Sequence, residues 1–254
     1  MAGQPRSLRY EYDCYVEAEI ENYKDSIPRS AILRIGDEAV ANIRGSEQVA
    51  FGELLLCTEV DRIIRKRLRV PSYAAWRRRR VKLIEQYRRP EHWGMAADAP
   101  LVQAITVDTE AHVLLLGTQE EGTTLYLAAN GCQVTTVEED QDIVDRVILT
   151  ASQVGLSGRV HGQVSTLGNW FPESPLHAVV SSPSAFERLS IEERIRVIEI
   201  LKSATLDGGV HLVRTLAAGH AAMDMDELRQ RYTGWDVAIV EQGTSFLARK
   251  GVAA

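Results

Sequence analysis

The chain has 254 residues, 45% of them hydrophobic and 25% charged, with a net charge of −6 at neutral pH. That length suits one or two globular domains, and that charge content argues against wholesale disorder. There is no run of about 18 apolar residues to span a membrane, and the opening MAGQPRSLRYEYD lacks the apolar stretch of a secretory leader.

In chain order, the first half reads as helical. Apolar residues at Tyr15, Val16, Ile20 and Tyr23 recur at helical spacing over 12–24, and Pro28 ends that run. A second helix is expected over 31–43, interrupted near Gly36. A third is expected to begin at Thr58, where T-E-V-D has the form of a capping box, and continues through Ile63, Ile64 and Leu68. After the turn around Pro71, a fourth helix is expected over 73–87, with Trp76, Leu83, Ile84 and Tyr87 on one face. Between Arg62 and Arg89 stand twelve Lys or Arg against the single acid Glu85, with Asp61 at the edge. A basic segment on an acidic chain points to an anionic partner, either nucleic acid or an acidic protein surface, or to an acidic face of the chain itself. Arg77, Arg78 and Arg79 are its candidate contact residues. Four successive arginines lie ~100° apart around a helix, so Arg80 must fall beside the apolar face. The stretch AADAP before Leu101 reads as a linker, which sets a helical domain at 1–98 and a second domain at 99–254.

The second half alternates. Strands are expected at 113–116, 133–137, 159–164, 176–181 and 209–213, with helices between them, among them 141–154 and one opened by the capping box S-I-E-E at Ser190. Such alternation gives a parallel sheet covered by helices on both faces. At the end, 236–241 and 245–249 are two strands joined by a glycine turn, a link so short that they must run antiparallel. That reversal separates the chain from the all-parallel nicotinamide-binding plan. The three cysteines are scattered and odd in number, which fits a reducing cytoplasm, and no Cys or His pair has metal-ligand spacing.

The most informative stretch is 113–138. An apolar strand (VLLL) leads into GTQEEG, a short helix and a second strand that ends at the acid Glu138. A glycine turn after one strand and a carboxylate about 20 residues later form a unit that seats an adenosine-type ligand. The glycine lets backbone approach the ligand, and the acid accepts from the ribose hydroxyls.

With these segments, HAVVSSP and LKSATLDGGVHLV in place, residues of about 101–250 resemble the class I S-adenosylmethionine-dependent methyltransferases. The resemblance implies a seven-stranded Rossmann-like sheet with a reversed last strand, preceded here by an all-helical domain, and S-adenosylmethionine as cofactor. It places Gly117 under the methionine part of that cofactor, with Thr118 and Gln119 beside it. Glu138 falls on the ribose, Ser165 on the adenine, and Ser181, Ser182 and Pro183 at the mouth where the methyl group moves. SSPSAF distantly resembles the motif with which base-methylating members hold a target amine, with Phe186 one residue late for the stacking aromatic. The chain departs from the family in having Leu115 where an acid is usual, and Gln119 and Glu121 where glycines are usual. Two functions are therefore expected. One is a methyltransferase whose helical domain covers the site or presents the substrate; the other is a non-enzymatic descendant acting as a nucleic-acid-binding or assembly factor.

Overall fold

The computed structural model describes residues 7–43, 52–105, 110–117, 121–214, 216–217, 220–221, 224–240 and 244–252. They form two compact units, residues 1–81 and 82–254, so the division falls inside the fourth helix.

The first unit contains α1 (Leu8–Ser26), α2 (Arg29–Ile43), α3 (Gly52–Arg67) and the start of α4 (Tyr73–Tyr87). Its core joins Tyr12, Val16 and Ile20 to Ile35, Ala39, Ile63, Ile64 and Trp76. Tyr12 is wedged against Tyr73 and Trp76, with ring centroids 5.4 and 5.5 Å apart, and its hydroxyl donates to Pro71 O at 2.8 Å. Two expectations are corrected here. Helix α2 passes Gly36 without a break, because that glycine faces open space and has helical neighbours on both sides. Helix α3 starts at Gly52, six residues before the expected cap. Thr58 lies inside it and donates its hydroxyl back to Leu54 O at 2.7 Å, the alternative use of a threonine that resembles a cap.

The second unit is built on a sheet of seven strands: β1 (His112–Leu116), β2 (Gln133–Glu138), β3 (Val160–Val164), β4 (Leu176–Ser181), β5 (Thr205–Arg214), β8 (Asp236–Val240) and β9 (Ser245–Arg249). Their order is β3-β2-β1-β4-β5-β9-β8. β9 runs antiparallel to both neighbours, and the other pairs are parallel. The short strands β6 (Leu216–Ala217) and β7 (His220–Ala221) form a separate antiparallel pair.

Because side chains alternate across a strand, β1 divides its residues between two cores. Val113 and Leu115 face one side, with Val134, Val180 and the helices α6 (Glu121–Ala129) and α7 (Gln141–Gln153). Leu114 and Leu116 face the other, with Val137, Val179 and residues of α9 (Ile191–Ala204) and α10 (Met225–Arg231). Leu83, Ile84, Tyr87 and Trp93 pack on the first of these cores. Trp93 lies against Gly122, where an added Cβ would come within 2.8 Å of its ring. Among the described residues, no helix is long and apolar enough to cross a membrane.

A buried polar triad joins β5 to the end of α10. His211 Nε2 lies 2.7 Å from Thr205 Oγ1, and His211 Nδ1 lies 2.6 Å from the Tyr232 hydroxyl. Thr205 commits its proton to Leu201 O at 2.7 Å, so Nε2 donates to Thr205 and Nδ1 accepts from Tyr232. A neutral ring with its proton on Nε2 satisfies this geometry. Burial, reinforced by the cations Lys202 and Lys250, pushes the imidazole down to about 3. The folded value lies below the unfolded one, so the unfolded chain takes up the proton first. The triad's contribution is complete above about pH 6.5 and is lost as pH falls toward 3, with a slope of up to about 1.4 kcal/mol per pH unit. Urea titrations between pH 7 and 4 should show this loss, and a His211→Gln variant should lack that part of the slope.

Candidate functional site

The sheet order creates the site. From β1 the chain winds outward through β2 and β3, then returns to place β4 on the other side of β1. The crevice at such a reversal, outside the carboxyl ends of the strands, is where open α/β sheets bind ligands. Three backbone bonds tie the strand tips together there. Gly117 N–H donates to Val137 O at 3.4 Å, Ser182 N–H to Leu116 O at 2.9 Å, and Ser165 N–H to Glu138 O at 2.9 Å.

Above these tips lies a cleft of about 540 Å³, lined by Leu116, Gly117, Val137, Glu138, Ser165 and Leu167, and further by residues 139–141, 184–185 and 187–188. Its volume is within the usual range for small-molecule sites, about 300–1,000 Å³. Leu116, Val137 and Leu167 give it an apolar floor, and Glu138 is a buried carboxylate at its edge. Asp140 caps α7 by accepting from Asp142 N–H at 2.8 Å, which fixes the N-terminal turn of α7 beside the cleft. Val144, Val147 and Ala151 of that helix are buried, while Ile143 lines the cleft.

Gly117 has φ +63°, a left-handed conformation that suits glycine. A Cβ there would sit 2.7 Å from Ala185 N and 2.8 Å from both Ser182 Oγ and Ser184 Oγ. The close approach has a bonding counterpart, because Ser182 and Ser184 both donate their hydroxyls to Gly117 O, the second at 2.9 Å. The segment after β4 is thus fastened onto the glycine turn.

Of the residues singled out in the sequence, Gly117, Glu138 and Ser165 meet at this cleft. Ser181 is buried at the end of β4 and is not among the lining residues, while Ser182 spends its hydroxyl on Gly117 O. Pro183 is buried, and Phe186 belongs to the core beneath the sheet. Thr118 and Gln119 lie outside the described residues. Glu121 is turned onto α7, where it pairs with Arg146 and accepts from the Thr150 hydroxyl, both at 2.9 Å. Leu115 is fully buried in the core. Arg77, Arg78 and Arg79 are exposed on α4, whereas Arg80 turns inward over the Trp76 ring and toward Glu11. Ser184, Leu167, Asp140 and Arg188 were not singled out, since each reaches the cleft through a turn or cap that short motifs do not encode.

No family model and no curated protein matches this sequence. Similar solved structures include TehB from Haemophilus influenzae, with 20% identity and a TM-score of 0.51 over 66% of this chain and 67% of that one. They also include the N-methyltransferase NodS from Bradyrhizobium japonicum WM9, with 12% identity and a TM-score of 0.48 over 62% and 100%. A third is the [4+2]-cyclase SpnF, with 17% identity and a TM-score of 0.49 over 60% and 80%. The sheet unit has the Rossmann-like fold of the class I S-adenosylmethionine-dependent methyltransferases, with its last strand reversed.

The cofactor associated with that fold has a nucleoside half that the residues present fit. The cleft offers an apolar floor, a carboxylate with two acceptor oxygens, and a glycine turn that a Cβ would obstruct. The Leu115 position offers nothing to the amino-acid half, being buried on the far side of β1 from Leu116.

Proposed function

We propose that the protein is an S-adenosylmethionine-dependent methyltransferase, with the nucleoside seated between Gly117 and Glu138 and the helical unit presenting the acceptor. The observation that carries this reading is the convergence of the left-handed Gly117 turn and the Glu138 carboxylate on one cleft, at the reversal point of the sheet.

When bound, the cofactor supplies an electrophilic methyl group on a sulfonium. In this reading, the protein's own contribution is placement. Glu138 accepts from the ribose hydroxyls, and Leu116, Val137 and Leu167 hold the base away from water. Ser165 stands at the β3 edge of the base site. Ser182 and Ser184 brace the glycine turn by holding its carbonyl. The rate would come from alignment of acceptor and methyl group and from exclusion of water, without a dedicated general base. Calorimetry with S-adenosylhomocysteine should detect binding, and Glu138→Gln should weaken it by about tenfold or more, as expected for a lost charge-assisted hydrogen bond. No heat and no thermal shift at millimolar ligand would remove the cofactor assignment.

A second reading rests on a separate observation. Residues 1–81 carry fifteen Lys and Arg against twelve Asp and Glu, a net of +3, while residues 82–254 carry fourteen against twenty-three, a net of −9. With Arg77, Arg78 and Arg79 exposed on one helix, the helical unit suits a phosphate backbone, either as methyl acceptor or as the partner of a non-enzymatic assembly factor. Nucleic-acid affinity should then fall steeply with salt. Replacing the three arginines by glutamate should abolish it, and unchanged binding by that variant would remove this reading.

A further inference from the structure

The segment 182–189 runs along the cleft, and three of its contacts reach the tips of other strands. At its start, Ser182 and Ser184 donate to Gly117 O, beyond β1. At its end, Leu189 lies against Gly168, beyond β3, where an added Cβ would be 3.6 Å from Leu189 Cδ2. Between these, Arg188 reaches Glu139, beyond β2, with Nη1 2.5 Å from Oε2. The three contacts differ in kind. The serine hydroxyls are partly buried, whereas the Arg188–Glu139 pair is open to water, with the arginine side chain 80% exposed. Exposed ion pairs contribute only about 0–1 kcal/mol, so this is the contact a ligand can replace at least cost.

The charges at the cleft give the exchange a direction. Its described lining includes four acids, Glu138, Glu139, Asp140 and Glu187, and one cation, Arg188. A nucleoside carrying an amino-acid tail brings a carboxylate into that setting, and Arg188 is the group that can receive it. A guanidinium matches a carboxylate with two parallel N–H donors.

Building on the cofactor reading above, we infer that Arg188 is the tail-binding residue of the cleft: it exchanges Glu139 for the α-carboxylate of the ligand. The exchange replaces one exposed ion pair by another that the bound nucleoside holds in place, so it favours ligands that carry the tail over those that lack it.

The test compares two ligands that share the nucleoside and the thioether. S-adenosylhomocysteine carries the amino-acid tail and 5′-methylthioadenosine does not. By calorimetry, the wild-type protein should bind S-adenosylhomocysteine more tightly by about twofold to fivefold, the scale of one exposed ion pair. Arg188→Gln should bring the two affinities close together by weakening S-adenosylhomocysteine alone, and its exposed position keeps folding out of the comparison. If Arg188→Gln leaves the ratio unchanged, or weakens both ligands equally, the inference is overturned while the nucleoside site stands. The same holds if the wild-type protein binds both ligands with equal affinity. Binding of neither ligand would overturn the nucleoside site and this inference with it.

Discussion

The site depends on a backbone constraint. β1 is hydrogen-bonded to β2 on one side and β4 on the other, and the chain leaves it in opposite directions on the two sides. The connections that follow the strands therefore splay apart above β1 and leave a crevice there. The bonds from Gly117 to Val137, Ser182 to Leu116 and Ser165 to Glu138 carry the strand pairing into the loops, so the crevice walls inherit the order of the sheet. The cleft therefore owes its form to main-chain geometry, and side chains adjust what it holds.

That division explains how the cleft can form without a glycine-rich loop. Glycines at the second and third loop positions would let backbone approach a ligand; this chain has Gln119 and Glu121 there. Glu121 is absorbed by α7 through Arg146 and Thr150, and Gly122 serves the packing of Trp93. Gly117 alone remains at the tip of β1, and two serines from the next segment hold its carbonyl. Support that would reside within a glycine-rich loop comes instead from across the crevice.

The alternation of apolar strands and amphipathic helices, the closing hairpin and the Gly117–Glu138 spacing were legible because each is a local pattern with one structural solution. The start of α3 was not, because Thr58 makes the same hydroxyl-to-backbone bond inside a helix that it would make at its beginning. Pro183 and Phe186 followed a motif in the sequence but are both buried, Phe186 in the core, since the turn after β4 directs Ser182 and Ser184 to Gly117 and leaves the ring beneath the sheet. Arg188 carried no signal at all: its place at the cleft follows from where α8 (Ser184–Glu187) ends, a matter of tertiary packing.

The most direct measurement of the central claim is the response of backbone amides to S-adenosylhomocysteine, followed by nuclear magnetic resonance. Shifts concentrated at Gly117, Glu138 and Ser165, with Gly209 at the opposite end of the sheet unmoved, are the predicted result. Shifts centred on Gly208, Gly209 and Arg249, or none at saturating ligand, would contradict it.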